Sequence, residues 1–378
     1  MDILASIGTL TIGTIVPFLF VLTIIVFFHE LGHFLVGRWC GVEVKTFSIG
    51  FGPEIAGFND RQGTRWRLSL IPLGGYVKFL GDENAASAPD RDALKSYDRE
   101  TYSRTMEGQS VGKRAAIVAA GPIANFILAI VIFTGVFATI GETVSPARVD
   151  EVRADSAAEI AGILPGDIIV EINGSPIEVF ADVPRIVALN ADVAMPIVVE
   201  RDGERLALTI TPLREEVRDS FGNVQRVGLI GVVHRPREGD VVVRDYTLPQ
   251  AVYRAVDQTW FVAKSTLSYL GKVIVGRESA DQLSGPIRVA KVSGDVATLG
   301  IGALLQLAAL ISVSIGLINL FPVPLLDGGH LVYYAIEAIR GRPLSDKAQE
   351  IGFRFGMAAI LALMVFATFN DIVHLLAS

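Results

Sequence analysis

Three long stretches of the chain contain no charged side chain, and they constrain the fold more than any other feature of the sequence. They cover residues 3–28, 115–141 and 296–326. Each exceeds the roughly 20 apolar residues that a membrane-spanning helix requires. A fourth apolar stretch, residues 355–377, contains Asp371 near its end, which we expect close to a membrane interface. With 51% hydrophobic and 19% charged residues, the chain is predicted to be an α-helical polytopic membrane protein with four transmembrane helices.

The first stretch is predicted to stay in the protein as a transmembrane helix, residues 1–37, and not to be removed as a signal peptide. It lacks a basic start, it carries Asp2, and it runs directly into His29 and Glu30. The second span is residues 115–141 and the third is residues 296–330.

The distribution of Lys and Arg predicts the orientation of the spans. These residues are frequent in the loop 38–114 and in the loop between the last two spans. By the positive-inside tendency, both loops are expected to be cytoplasmic. Residues 141–295, which are rich in Asp and Glu, and both termini are then expected on the opposite side of the membrane.

Two segments of the first loop have the composition of β-strands. They read "VKTFSIGFGPEIAGF" (44–58) and "TRWRLSLIPLGGYVKFLG" (64–81), and both combine β-branched and aromatic residues with glycines. We expect a small sheet against the membrane. Residues 84–110 are polar and poor in aromatic residues, which is typical of an exposed loop.

Between the second and third spans, residues 144–213 have the pattern of a small inserted α/β domain. Within them, "SAAEIAGILPGDIIVEINGSPI" predicts a helix from Ser156 to Gly162, a strand at 168–172 and a turn at Asn173-Gly174. "AGILPGDIIVEING" resembles the signature stretch of a PDZ domain, although a generic small β domain is the alternative. Residues 214–295 are predicted to form a linker and amphipathic helices, which lie on the outer membrane surface or brace the domain.

The end of the first span contains "HELGH", an ionisable cluster in a segment otherwise suited to lipid. His29 and His33 are four residues apart, so on a helix they lie on one face at a spacing that allows both imidazoles to bind one zinc ion. Glu30 is beside them. In zinc hydrolases with this arrangement, the metal activates water and polarises the scissile carbonyl, and the glutamate takes the proton. Ionisable groups at membrane depth are costly, which favours this function over satisfied interfacial histidines.

A catalytic zinc ion normally has three protein ligands, so the third is expected in another span. The best candidate segment is "GLINLFPVPLLDGGH", residues 316–330, where prolines break an uncharged helix before Asp327. Broken backbone at membrane depth is tolerated where it lines a protein cavity or water. Asp327 is the preferred ligand and His330 is its rival. The alternative is that the helix merely ends here and leaves Asp327 in solvent.

Taken together, these motifs resemble the site-2 protease family of intramembrane zinc metalloproteases, in its bacterial regulator-of-sigma-E protease branch. The motifs are HELGH, the PDZ-like insert, "LSGPI" at 283–287 and "NLFPVPLLDGGH" at 319–330, and the resemblance spans nearly the whole chain. It implies a zinc ion held by His29, His33 and Asp327, with Glu30 as the catalytic base.

The resemblance also implies how substrate is held. Asn319, Pro322 and Pro324 match family residues that help to bind substrate, and the strand-like segment with Gly74 and Gly75 is expected to receive substrate as an added strand. The chain departs from several members of the branch in one respect. They carry two tandem PDZ domains, whereas only one is recognisable here.

The implied function is regulated intramembrane proteolysis in the bacterial inner membrane, with the zinc site toward the cytoplasm and the PDZ domain in the periplasm. The expected partners are the lipid bilayer and single-span protein substrates, either an anti-sigma factor after a first extracytoplasmic cut or remnant signal peptides. No nucleic acid is expected.

Two other function classes are weaker. A non-catalytic PDZ scaffold has no use for Glu30, and a metal transporter needs a continuous polar path that the second span does not offer.

Overall fold

The computed structural model divides into two compact units. The structure describes residues 11–83, 90–218, 224–237, 239–276, 280 and 285–377. The first unit, which we call the membrane unit, consists of Met1–Thr134, Val252–Ala263 and Leu283–Ser378. The second, which we call the insert unit, consists of Gly135–Ala251 and Lys264–Gln282.

The N-terminal part of the chain contains two long helices separated by a β-hairpin. Its elements are α1 (Val16–Trp39), β1 (Val44–Asn59), β2 (Arg65–Phe79), α2 (Arg91–Ser96), α3 (Arg99–Ser103) and α4 (Val111–Thr139). The two short helices α2 and α3 occur where the sequence predicts an exposed loop. Asp90 and Asp98 accept hydrogen bonds from the N–H groups of Ala93 and Thr101, and these N-caps stabilise the first turns.

The central part of the chain is a set of short strands and helices followed by one long helix. Its elements are β3 (Glu142–Val144), β4 (Glu151–Val152), α5 (Ala157–Ala161), β5 (Ile168–Ile172), β6 (Ser175–Pro176), α6 (Asp182–Val187), β7 (Met195–Arg201), β8 (Glu204–Ile210), β9 (Leu213–Arg218), β10 (Val224–Leu229), β11 (Val232–Val233), β12 (Val242–Arg244) and α7 (Leu248–Ile274). Near the end of α7, Lys272 donates to the carbonyl of Leu189. That contact lies within the insert unit and favours a bracing role for this end of the helix.

The C-terminal part is helical. Its elements are α8 (Pro286–Ala297), α9 (Ile301–Asn319), α10 (Asp327–Arg340) and α11 (Asp346–Ala377). The third apolar stretch therefore forms a shorter helix than its charge-free run of residues 296–326. Gly300 adopts a φ of 102° immediately before α9, and the chain turns after Asn319.

Four helices in the described part of the chain are long and apolar enough to cross a membrane. They are Gly13–Trp39, Val111–Thr139, Ile301–Asn319 and Lys347–Val373. The prediction of four candidate membrane-spanning helices is confirmed. The chain is therefore a multi-pass membrane protein by the length and composition of its helices.

Small residues allow α1 and α4 to pack backbone against backbone. A Cβ atom added to Gly32 would lie 2.7 Å from the carbonyl carbon of Ala120 and 2.9 Å from the Cβ atom of Ala124. Small residues at such contacts are typical of membrane helix pairs, where association depends on close packing. On another side of α1, Val21 and Ile25 are buried against Leu304 and Ala308 of α9.

The hairpin of β1 and β2 folds back on itself, so that both its open end and its turn contact the C-terminal part of α1. Near its base, Phe47 stacks on Trp66 with ring centroids 4.2 Å apart, and both rings pack edge-on against Phe34 of α1. Farther along, apolar side chains are exposed, including Ile55 and Leu70. The bend of the folded hairpin around Ile55 and Leu70, which we call the distal hairpin, therefore presents an apolar surface that the rest of the membrane unit does not cover.

Asp371, expected at an interface, is buried at 2% exposure within the membrane unit. Its carboxylate accepts hydrogen bonds from the N–H groups of Gly285 (2.9 Å) and Arg288 (3.0 Å), at the start of α8. A carboxylate at a helix N-terminus satisfies orphan N–H groups and interacts favourably with the helix dipole. The charge is therefore used to cap a neighbouring helix.

The insert unit is built on a four-stranded antiparallel sheet with the strand order β6-β5-β7-β8. The expected local features are present: Ser156 caps α5, Gly162 ends it with a φ of 81°, and Asp202-Gly203 joins β7 to β8. Buried aliphatic residues, among them Ile169 and Ile197, form its core.

The insert unit extends beyond Leu213, where the sequence-based boundary was placed. The strand β11 pairs with β4, and Ile230 belongs to the same buried core. In addition, β12 pairs with β3, with Val242 opposite Val144. The extension was missed because these strands contain two or three residues each and are recognisable only by their partners.

An ion pair ties the start of β5 to the end of β7. The buried Asp167 carboxylate accepts hydrogen bonds from Arg201 Nε (2.7 Å), Arg201 Nη2 (2.8 Å) and the Leu164 N–H (2.9 Å). Burial raises the pKa of Asp167, but these hydrogen bonds and the charge of Arg201 outweigh it, so the pKa lies below its usual value. The pair therefore stabilises the insert unit above the unfolded carboxyl pKa of about 4, and this stability is lost as the pH falls through the lowered folded pKa.

Replacing Arg201→Ala should leave a buried carboxylate without its cation and destabilise the insert unit by about 2–4 kcal/mol near neutral pH. Hydrogen–deuterium exchange of residues 163–172 in the full-length protein measures this as faster exchange, with a smaller difference from the parent protein as the pH falls below about 4. Arg205→Ala, an exposed arginine on the neighbouring strand, is the matched control and should change little. Equal effects of the two substitutions would contradict the ion-pair assignment.

Candidate active site

The two histidines of HELGH lie together on α1, one helical turn apart. The Nε2 atoms of His29 and His33 are 3.3 Å apart, and both side chains are 13% exposed. The helix that carries them is one of the candidate membrane spans. Both imidazoles therefore present Nε2 to the same small volume at one end of the span.

Asp327 completes this cluster from the other end of the sequence. Its Oδ2 is 3.2 Å from His29 Nε2, and its Oδ1 is 3.6 Å from His33 Nε2. Among the described residues, the cluster of possible metal ligands consists of these three side chains, and His330 is not part of it.

The segment between α9 and α10 brings Asp327 to this place by a sharp reversal of the chain. Leu325 has a φ of 104°, a conformation that strains a non-glycine residue. Directly after Asp327, a Cβ atom on Gly328 would overlap the backbone at Leu320, and one on Gly329 would lie 2.8 Å from Cα of Pro324. The two glycines are therefore required for the first turn of α10 to fold back on the segment that precedes it.

Two further contacts hold this segment in place. The last helix, α11, packs on Pro324 through Gly352 and Gly356, where an added Cβ atom would meet the proline. On α10, Glu337 accepts a hydrogen bond of 2.6 Å from Arg114 of α4. The position of Asp327 therefore depends on helices on either side of it in the fold.

The helix α4 sets the protonation pattern of His33. The Nδ1 atom of His33 is 2.9 Å from the carbonyl oxygen of Ile117. A carbonyl oxygen only accepts hydrogen bonds, so Nδ1 carries the proton and neutral His33 has a lone pair on Nε2. The corresponding neighbour of His29 Nδ1 is the side-chain amide of Asn125, at 3.3 Å.

The cluster has the donor set and the spacing of a zinc site. Two imidazole nitrogens and a carboxylate converge, with one possible ligand atom from each within 4.8 Å of the others. When both histidines are neutral and unprotonated at Nε2, the three groups present lone pairs to one another, and a cation between them stabilises this arrangement. With zinc–ligand bonds of about 2.0–2.1 Å, tetrahedral ligand atoms lie roughly 3.3–3.4 Å apart. The two Nε2 atoms are 3.3 Å apart and His29 Nε2 is 3.2 Å from Asp327 Oδ2, while His33 Nε2 is 3.6 Å from the other carboxylate oxygen. The residues present therefore fit zinc.

Gly121 of α4 leaves room for this cluster. A Cβ atom on Gly121 would overlap the ring of His33 at Nε2 and would lie 2.9 Å from His29 Cε1. Every other residue type would push the imidazoles out of place. The backbone of α4 is therefore in direct contact with the edge of the site.

Glu30 lies next to the cluster and against the hairpin. Its carboxylate accepts a hydrogen bond from the backbone N–H of Val77 in β2. The strand passes so close that a Cβ atom on Gly75 would lie 3.0 Å from Glu30 Cγ. A glycine at this position is therefore needed for the contact between strand and helix.

The remaining sequence-predicted substrate residues lie outside the metal cluster. Asn319 is the last residue of α9, and Pro322 is exposed in the turn that follows. Pro324 faces α11, as described above. Gly74 has a φ of 93° and allows the ring of Phe51 on β1 to approach within 2.8 Å of an added Cβ atom.

The sequence analysis did not identify Gly121 or Asn125 as part of the site. Asn125 is one of three residues with polar side chains in the second span, with Thr134 and Thr139. Its position in the middle of an apolar run was the available signal, because polar side chains at membrane depth commonly have a specific partner.

Four apolar helices around a His-His-Asp cluster, with a glutamate beside it, are the features of a membrane metalloprotease. The family model for Peptidase family M50 matches residues 17–363, and the chain belongs to this family. A protein from Agrobacterium fabrum, named as a zinc metalloprotease, is 54% identical over 99% of both chains. One from Rhizobium meliloti with the same description is 50% identical over 95% of this chain and 96% of its own. Metalloprotease MmpA of Caulobacter vibrioides is 40% identical over 95% of both.

These relationships agree with the chemistry that the site geometry allows. The protein is a zinc metalloprotease of the M50, or site-2 protease, family. The sequence-based prediction of a zinc-dependent peptidase is confirmed.

Replacing Gly121→Ala should lower zinc affinity at least tenfold, because the new methyl group occupies the space of the His33 ring. Zinc content after competition with a chelator, measured by mass spectrometry of the purified full-length protein, checks this. Gly112→Ala on the same helix is the control, since an added Cβ atom there meets nothing within 4 Å. If both variants retain zinc equally, Gly121 does not shape the site.

Proposed function

We propose that the protein cleaves peptide bonds within the transmembrane segments of single-span proteins. The observation that carries this proposal is the position of Glu30 and the two histidines on a membrane-spanning helix, directly beside the glycine-containing strand β2. A protease that acts on soluble peptides has no need for a cluster on a span. Ionisable groups are costly there and persist where they have a function.

In the proposed reaction, His29, His33 and Asp327 hold zinc, which when bound supplies a Lewis acid for the scissile carbonyl and for water. Glu30 takes the proton of the attacking water and passes it to the departing amine. The N–H of Val77 orients the Glu30 carboxylate for this transfer. The partial burial of all four side chains limits competing water.

The substrate must lose helical structure before it can react. In a helix, each carbonyl is already hydrogen-bonded and wrapped by side chains, and freed backbone groups need new partners in the membrane. We propose that the hairpin supplies them, with substrate added as a strand near Gly74 and Gly75. The exposed apolar side chains of the distal hairpin, such as Ile55, support this role because they suit an apolar substrate segment.

The segment after α9 is the second part of the proposed substrate site. Asn319, at the end of α9, has a side-chain amide that can bind an unwound substrate backbone. Pro322 and Pro324 keep the segment free of helix, because proline has no N–H group to continue the hydrogen bonds of a helix.

We further propose that the protein lies in the bacterial inner membrane, with the zinc site toward the cytoplasm and the insert unit in the periplasm. The positions of Lys and Arg support this orientation. The insert unit would be a PDZ-like filter that obstructs substrates with a folded outer segment and admits trimmed ones, so that specificity arises by exclusion. Such substrates include an anti-sigma factor after a first cut, or remnant signal peptides.

The variant Glu30→Gln should keep its zinc and lose about 10²–10⁴-fold in turnover, because it removes proton transfer but no ligand. Zinc stoichiometry and cleavage of a membrane-inserted model substrate, measured on the same preparation, check this. Asp327→Ala is the ligand-removal control and should lose zinc as well as activity, whereas His330→Ala should keep zinc. Zinc loss in Glu30→Gln as large as in Asp327→Ala would show that the glutamate is a ligand and not a base.

The filter can be tested by removing residues 145–241. Val144 and Val242 are opposed in the β3–β12 ladder, so an Asn-Gly turn can join them. The shortened protein should cleave a trimmed substrate at close to the normal rate and should also cleave the untrimmed one. The same deletion with Glu30→Gln is the control for contaminating proteases. Loss of cleavage of the trimmed substrate, with zinc content normal, would show that the insert unit recruits substrate.

A further inference from the structure

Asn125 is in contact with the metal cluster, and its hydrogen-bonding role is open. It lies in the apolar helix α4 and is fully buried, at 0% exposure. Its Nδ2 atom is 3.3 Å from His29 Nδ1, and its Oδ1 atom has no hydrogen-bond partner in the described part of the protein. The rest of the described structure therefore does not determine which end of the amide faces His29.

The tautomer of His29 determines the orientation of this amide. If the amide NH₂ group donated to Nδ1, the neutral imidazole would carry its proton on Nε2, the atom that faces Asp327 and His33. That tautomer has no lone pair for zinc at Nε2. With the amide rotated by 180°, its oxygen accepts the Nδ1–H of His29, and Nε2 is free. The oxygen and nitrogen of an amide have nearly the same shape, so either orientation fits the same space.

The backbone of Asn125 is fixed from a third helix. The carbonyl oxygen of Asn125 accepts a hydrogen bond of 2.9 Å from the hydroxyl of Ser312, which is buried in α9. Close by on α9, a Cβ atom on Gly316 would lie 3.2 Å from the Asn125 Cβ atom. The side chain therefore starts from a backbone position that is set by tight packing between α4 and α9.

We propose that Asn125 is a positioning residue of the zinc site, whose side-chain oxygen accepts the Nδ1–H of His29 and holds Nε2 toward the metal. This role rests on the proposed ligation of zinc by His29. The Ile117 carbonyl does the same for His33. About two turns of α4, from Ile117 to Asn125, thus supply the hydrogen-bond acceptors for both imidazoles, and Gly121 between them supplies the space.

The acceptor role can be separated from a merely structural one by the choice of substitution. In Asn125→Asp the new side chain has the same shape, and in its ionised form it accepts hydrogen bonds but donates none. Zinc affinity should therefore stay within about threefold of that of the parent protein. Asn125→Leu and Asn125→Ala offer no acceptor, and each should lower zinc affinity about 10–100-fold. The alanine variant covers the case in which leucine prevents folding.

The measurements are made on the full-length protein in detergent. Zinc affinity is obtained by competition with a chelator, and the visible absorption spectrum of the Co²⁺-substituted protein reports ligand geometry independently of activity. Thr134→Val is the matched control, because Thr134 is a polar residue of the same helix whose buried Oγ1 has no described partner. It should bind zinc normally and give the parent Co²⁺ spectrum.

Three results would overturn the proposal. Parent-like zinc affinity and Co²⁺ spectra in both Asn125→Leu and Asn125→Ala would show that His29 needs no acceptor there. A loss of affinity in Asn125→Asp as large as in Asn125→Leu would show that the amide donates. Normal zinc binding in His29→Ala would remove the ligation on which the proposal rests, and would identify the failure as one of the site assignment.

Discussion

The structure depends on bringing two imidazoles and a carboxylate together at one end of a membrane span. Each of His29, His33 and Asp327 is expensive to remove from water, and in the protonation state that binds zinc their lone pairs face one another. The packing around them serves this purpose. The helix α4 approaches α1 through Gly121, and the chain after α9 reverses through a strained Leu325 and two glycines that few other residues could replace. Backbone strain and close packing are thus concentrated around the proposed zinc site, where a bound cation would offset the electrostatic cost of bringing the three ligands together.

Features with a local period could be read from the sequence. The charge-free runs predicted the membrane helices, and the four-residue spacing of His29 and His33 placed them on one face of a helix. The hairpin was predicted from strand-like composition. The role of Asp327 was harder to predict, because no local sequence feature distinguishes a metal ligand from a solvated residue at the end of a helix. The resemblance to known proteases, carried by the motif around it, separated the two.

What escaped prediction lies in contacts between elements that are distant in the sequence. The contact between His29 and Asn125 joins residues 96 positions apart, and no periodicity or composition signals it. The short strands of the insert unit were not predicted for the same reason, since a strand of two residues such as β11 is recognisable only by its pairing with β4. Asp371 shows a third form of the problem. Its charge led us to expect it near a membrane interface, but no feature of the sequence indicated that its carboxylate caps α8, a helix whose N-cap lies 86 residues away in the chain.

The pairing of β3 with β12 has a consequence for how such proteins diversify. These strands lie at the two ends of the inserted segment, so the chain leaves and returns through a narrow stem with Val144 opposite Val242. Whatever sequence lies beyond that stem can be lengthened, shortened or duplicated without changing the distance that the stem must span. A change in the number of inserted domains is therefore compatible with this architecture, because the two ends of the insert stay paired at the same distance.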